Sequence, residues 1–165
     1  MLDIIRFKNY RIFRTEQKLQ IRPITIVFGK NNSGKSAILK LPILIDNILA
    51  NESEEVVEES SVDNPILFTE LRDLVYGKAT KAIEIGIADT NNHSIELSFF
   101  IDSTKRPHSR IERLAFSDND ENHSLQWDHD NRYYIDGEQR SIDVLFNGII
   151  PQSSVQTNFY SAAGT

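Results

Sequence analysis

No cysteine occurs among the 165 residues, which excludes disulfide staples, thiolate metal ligands and cysteine nucleophiles and agrees with a reducing, cytoplasmic setting. Long apolar runs are missing too: none approaches the roughly 20 residues that a membrane-spanning helix needs. Met1 to Tyr10 interleaves Asp3, Arg6 and Lys8 with its apolar residues, so it has no h-region of a signal peptide. A soluble protein with no membrane partner is the expectation. Positive charge is scarce: 18 Lys and Arg against 24 Asp and Glu leave a formal charge of -6. That balance argues against a dedicated basic nucleic-acid surface, although a local patch can survive inside an acidic average.

What is present suits one globular domain, or part of one, with 39% hydrophobic residues to build a core. Leu2 to Tyr10 and Lys18 to Ile21 read as a strand pair, the second alternating Leu19 and Ile21 with polar neighbours. After Pro23, Ile24 to Phe28 is a continuous apolar, β-branched run of the kind found in a strand buried on both faces. From Ser33 to about Leu49 the period becomes helical, with Ile38, Leu41, Ile45, Ile48 and Leu49 on one stripe. Pro42 removes the hydrogen bond to the Ile38 carbonyl and predicts a bend in that helix rather than its end.

Residues 51–64 carry Glu52, Glu54, Glu55, Glu58, Glu59 and Asp63 with no basic residue, which predicts a solvated acidic loop, the alternative being an acidic partner-binding segment. Pro65 to Tyr76 reads as a short helix with Leu67, Leu71, Leu74 and Val75 on one side. Beyond it the period is two. Ala82 to Ala88 and Ser94 to Ile101 form an antiparallel pair around a turn at Asp89 to His93. Further strands are expected at Arg110 to Phe116, Leu125 to Trp127, Arg132 to Ile135 and Ser141 to Phe146, with Asp136-Gly137 as a hairpin turn. The second half is a β meander.

Chemistry concentrates in Gly29-Lys30-Asn31-Asn32-Ser33-Gly34-Lys35-Ser36, which satisfies Gly-x-x-x-x-Gly-Lys-[Ser/Thr], the Walker A pattern, at every defined position. Gly29 and Gly34 take backbone conformations that a Cβ obstructs, so that successive N–H groups can wrap an anion. Lys35 is the candidate catalytic residue, placed to reach β and γ phosphate oxygens, and Ser36 offers a hydroxyl to Mg²⁺. The helix that starts here aims its positive end at the same point, and Ala37 in it joins residues 29–36 as a candidate nucleotide-binding residue. A chance glycine turn before a helix is the bland alternative; the apolar run before the loop and the apolar helix after it weigh against that. ATP with Mg²⁺ is the expected ligand.

The string Ile4-Ile5-Arg6-Phe7-Lys8-Asn9-Tyr10-Arg11, followed by Leu19 to Ser36, resembles the opening of the ABC-type ATPase heads of SMC, RecF and OLD-like proteins, where an I-x-N-[FY]-[RK] strand precedes a G-x-N-x-S-G-K-S loop. Leu71-Arg72-Asp73-Leu74-Val75-Tyr76-Gly77 and Phe159-Tyr160-Ser161-Ala162 are similar to blocks of bacterial AAA-family ATPases often found in defence systems. The resemblance implies an α/β P-loop head: strands and Walker loop in residues 1–50, the acidic loop at 51–64, and a mostly antiparallel β subdomain over 65–165. It also implies a head dimer or higher oligomer gated by ATP, with DNA or a nuclease or other effector subunit as partner. The alternative is a nucleotide-sensing scaffold holding a nuclease or toxin subunit with little turnover; a small-molecule phosphotransferase is a weaker rival. No apolar strand ending in Asp-Glu, no Leu-Ser-Gly-Gly-like signature and no switch histidine occurs. An N-terminal segment that binds nucleotide, and hydrolyses it only within a longer chain, is therefore expected.

Smaller candidates follow from the same resemblance. Lys8, Arg11 and Arg14 lie where such heads place a basic or aromatic side chain near the nucleotide, a solvated strand end being the alternative, and Gln152 or Gln156 where they place a glutamine that senses the γ phosphate through Mg²⁺, ordinary loop residues being the alternative. His123 and His129 flank Trp127 in an acidic stretch without metal-ligand spacing, and read as a surface loop. Trp127, Tyr133 and Tyr134 read as sheet packing rather than base-stacking platforms.

Overall fold

Period-two alternation governs most of the chain's structure. The computed structural model describes residues 2–50, 56–57, 70–102, 108–118, 121–127, 133–140, 145–147 and 150–152. Eight strands form one sheet: β1 (Leu2–Lys8), β2 (Gln17–Gln20), β3 (Ile83–Asp89), β4 (Ser94–Asp102), β5 (His108–Asp118), β6 (Glu121–Trp127), β7 (Tyr133–Ile135) and β8 (Glu138–Arg140), in the order β2-β1-β3-β4-β5-β6-β7-β8. Every pairing is antiparallel. The N-terminal strand pair and the meander are thus one sheet, because β1 lies between β2 and β3. A separate hairpin joins β9 (Leu145–Asn147) and β10 (Ile150–Gln152).

Register lines up the apolar positions from strand to strand. Phe7 faces Ile85, which faces Leu97, then Leu114, Leu125 and Ile135, a six-strand stripe whose members are all buried. Each such side chain contributes about 1.5–3 kcal/mol of burial. The opposite face is polar. There Lys8 pairs with Glu84 at 2.7 Å, and Glu96 lies between Arg6 at 3.5 Å and Arg113 at 3.8 Å. One irregularity interrupts β4 and β5 after Ser98, whose hydroxyl donates to Glu112 at 2.6 Å. The Asp136-Gly137 turn has φ of 50° and 83°, the pair of positive values that a two-residue hairpin requires.

The apolar face is covered by α1 (Lys35–Ala50). Leu41, Leu44, Ile45 and Ile48 are buried at the spacing of one helical face, and Ile45 and Ile48 share a cleft with Ile85, Ile87, Ile95 and Leu97 of the sheet. The helix passes through Pro42 without ending. Leu49, expected on the buried stripe, is instead 42% exposed, and the helix starts two residues later than Ser33.

Three other expectations change. Ile24 to Phe28 forms no strand, and Ile24, Ile26 and Phe28 are 82%, 78% and 89% exposed. A doubly buried strand needs neighbours at its edges and layers on both faces, and Ile24, Ile26 and Phe28 have no such cover. Instead of a short α-helix, the 65–76 region holds two 3₁₀ turns, Leu71–Leu74 and Tyr76–Lys78, with residues 65–69 outside the described set. In the acidic 51–64 stretch, Val56 and Val57 are buried. The Ser109 hydroxyl accepts from the Val57 N–H at 2.6 Å and donates to its carbonyl at 2.9 Å. Of the α/β head that was expected, the antiparallel β part and one helix are present; no parallel strand pair occurs among the described residues.

Candidate functional site

The glycine loop leaves the exposed Ile24 to Phe28 run and ends where α1 begins. Residues 29–33 and Ser36 are exposed, and Gly34, Lys35 and Ala37 are half-buried. Asn32 has φ of 61° and Gly34 of 88°, left-handed values that turn the chain back on itself. A Cβ on Gly34 would come within 2.5 Å of the Phe13 ring and 2.8 Å of Ile12, so both conformation and space demand glycine there.

Two hydrogen bonds fix the Lys35 side chain. Its ammonium donates to the Gly29 carbonyl at 2.8 Å and the Lys30 carbonyl at 2.6 Å, which lays the cation across the mouth of the loop. Ile38 is the first helix residue whose N–H reaches a loop carbonyl, that of Gly34 at 3.0 Å. The amides of the first helical turn before it carry the partial positive charge of a helix N-terminus. Residues 17–45 contain no Asp or Glu but include Lys18, Arg22, Lys30, Lys35 and Lys40, inside a chain of net charge -6. The stretch that carries the loop is thus free of acidic residues, and of its cations Arg22 is paired with Asp3.

A tight turn braces this arrangement from behind. Asn9 and Arg11 both have φ of 55°, and the Phe13 N–H donates to the Tyr10 carbonyl at 2.8 Å. Phe7 meets the rings of Tyr10 and Phe13 edge-on at 5.9 and 5.2 Å. Tyr10 is buried, and its hydroxyl donates to the Ala37 carbonyl at 3.2 Å; burial holds its pKa above the usual tyrosine value. The turn also grips the first 3₁₀ turn, through Arg11 N–H to Leu74 carbonyl at 2.7 Å and Tyr76 N–H to Asn9 carbonyl at 2.9 Å.

Comparison with known families places the chain as a whole. The sequence matches the AAA ATPase domain family over residues 1–149. The chain belongs to that family. Membership of this ATPase domain family implies ATP binding, typically with Mg²⁺. No curated protein matches the chain. No helix among the described residues is long and apolar enough to cross a membrane.

The other residues singled out from the sequence of this ATPase domain scatter. Lys8 is tied to Glu84 on the polar sheet face, and the carboxylate's hydrogen bond raises its pKa. Arg11 lies in the turn behind the loop, and Arg14 is exposed just after it. Gln152 ends β10, opposite Leu145, in the separate hairpin, and its side chain and Gln156 lie outside the described residues. His123 contacts the Asp136 carboxylate at 2.9 Å across the β6–β7 hairpin, His129 lies outside the described residues, and no metal-binding cluster occurs among the described residues. Trp127 faces Tyr133 in the β6–β7 register, and the partly buried Tyr134 faces Gln126.

Sequence reasoning overlooked the parts that brace the loop: Tyr10, Ile12 and Phe13. Their signal was faint, since an aromatic residue after a strand normally reads as packing. The acid-free, cation-bearing stretch from 17 to 45 was visible in the sequence and marks the same place.

Proposed function

We propose that Gly29, Lys30, Asn31, Asn32, Ser33, Gly34, Lys35, Ser36 and Ala37 form the triphosphate cradle of this ATPase domain. The observation that carries it is the Lys35 ammonium, held over the loop by two carbonyls at the start of a 16-residue helix. A cation in that position exchanges neutral carbonyl partners for phosphate oxygens, and its hydrogen bonds gain strength by becoming charge-assisted on both sides. The loop fits such a group: it is open to solvent, shaped by two glycines, and far along the chain from any carboxylate. Ser36, second residue of the helix, carries the hydroxyl that would hold Mg²⁺, which supplies charge neutralisation between phosphate oxygens when bound; Gln152 is the second candidate ligand.

The broader role follows from the ABC-type resemblance. Lys35 and the loop amides grip the nucleotide in one head, and a second copy closes over it, so that nucleotide occupancy controls assembly. DNA handling or control of an effector subunit in antiphage defence or DNA repair is the output of that assembly, in the cytoplasm.

The test is a titration of ATP with and without Mg²⁺. The wild type should bind in a magnesium-dependent way, and Lys35→Ala should weaken binding roughly 100-fold, the usual loss when a charged donor leaves an anion site. Its thermal unfolding should stay within about 2 °C of wild type, because the exposed loop adds little to the core. Absence of magnesium-dependent affinity in the wild type sinks the proposal.

A further inference from the structure

We propose that the Asn9–Phe13 turn links the phosphate loop to the Leu71–Lys78 segment, with Tyr10 as the positioning residue, so that nucleotide occupancy and the state of that segment regulate each other. The inference rests on the loop reading above and adds a regulatory element to the same site.

Between them these five residues reach both partners, and Tyr10 reaches each of them. Toward the loop, Ile12 and Phe13 close on Gly34 so tightly that no Cβ fits between them, and the Tyr10 hydroxyl bonds the Ala37 carbonyl in the first turn of α1. Toward the segment, Tyr10 forms a bridge with Val75, flanked by the Arg11-to-Leu74 and Tyr76-to-Asn9 backbone hydrogen bonds. The turn itself is stiff. Two left-handed residues shape it, two edge-on ring contacts support it, and the Asn9 side-chain amide anchors it to the Ala82 carbonyl at 3.0 Å. A stiff element passes displacement on; a loose one absorbs it.

Both ends that the turn grips depart from regular helical geometry. In α1, Pro42 has no N–H to give the Ile38 carbonyl, so a rung is missing beside the carbonyl that Tyr10 bonds. The helix start is held in part by a side chain from another element. At the far end, the two 3₁₀ turns meet at Val75, and Gly77 and Lys78 sit at φ of 63° and 54°. Tyr76, Gly77 and Lys78 are exposed, which makes this segment the surface on which a change at the loop is displayed. By linkage, whatever loosens the segment must also weaken nucleotide binding.

The Arg11 and Tyr76 amides report the grip, since both donate across it. Hydrogen exchange at these two amides should slow roughly 3- to 10-fold when Mg²⁺ and ATP are added to the wild type, and not in Lys35→Ala. Tyr10→Phe keeps the ring and loses the hydroxyl. It should still bind ATP, about 3- to 10-fold more weakly, while the slowing disappears. A reverse arm avoids the loop altogether: Gly77→Ala meets no atom within 4 Å yet strains φ, and should weaken ATP binding about 2- to 3-fold. This arm also carries the test if Tyr10→Phe fails to fold. Equal slowing in Tyr10→Phe and wild type, or an unchanged ATP affinity in Gly77→Ala, overturns the link and leaves the loop reading standing. A wild type that binds no ATP overturns the loop reading and the link with it.

Discussion

The sheet from β3 to β8 and the run from Ile24 to Phe28 are both rich in β-branched and aromatic residues, yet they end in opposite environments. In that part of the sheet, apolar residues occupy alternate positions, and a stripe of five, Ile85, Leu97, Leu114, Leu125 and Ile135, meets itself strand by strand and is buried. The run is apolar at nearly every position, and its largest side chains are more than three-quarters exposed. Alternation asks for one covered face, which α1 supplies over β3 and β4. A run apolar on both faces asks for two layers and two edge partners. Local pattern thus states what an element requires, and the rest of the fold decides whether the requirement is met.

The largest expected effect lies in the sheet. Phe99 is fully buried, faces Ile83 on β3 and Ile111 on β5, and belongs to the core under α1. Phe99→Ala should lower the stability to denaturant by about 3–5 kcal/mol, through lost transfer free energy and the cavity left behind. A loss below about 1 kcal/mol would show that the sheet is not the part of the molecule that holds it folded, and would erase the contrast with the exposed run.

Legibility in the sequence divides along the same line. The β3–β4 pair is announced by Ile83, Ile85 and Ile87 against Ile95, Leu97 and Phe99, and the β7–β8 turn by Asp136-Gly137, where the information is local; the strand that follows this turn is Glu138–Arg140 rather than the expected Ser141 to Phe146. The loop was legible because eight adjacent residues carry its chemistry. Pairing of β1 with β3 was not, since about 80 intervening residues separate Phe7 from Ile85 and no turn chemistry connects them. Burial of Val56 and Val57 was hidden by the carboxylates around them, for charge density hides a pair of valines from any window average. The Tyr10-to-Ala37 bond joins two elements whose proximity only the folded sheet creates.

The segment between the two regions gives a smaller effect with a pH signature. Asp73 accepts from Lys78, which lowers its pKa against an opposing effect of partial burial, and from the Glu70 N–H, which lowers it further. A depressed folded-state pKa contributes stability above the unfolded value near 4 and loses it as pH falls through the folded value. Asp73→Asn should therefore lower Tm by roughly 1–3 °C at pH 6–8, the small size reflecting an exposed lysine partner. The difference from wild type should close as the pH drops below the carboxylate range. A gap that persists unchanged at low pH would assign the loss to the shape of the 3₁₀ turn rather than to its charge.

Phe28→Ser has the smallest expected effect and tests the comparison most directly. A phenylalanine 89% exposed has left little of its surface behind on folding, so its replacement removes almost no burial. The change in stability should stay within about ±0.5 kcal/mol, the usual range for surface positions without special contacts, although the same swap at Phe99 would be ruinous. Chemical denaturation of the two variants side by side supplies the measurement. A loss above about 1 kcal/mol from Phe28→Ser would mean that something covers this run in solution, and its two apolar faces would then be meeting their requirement after all.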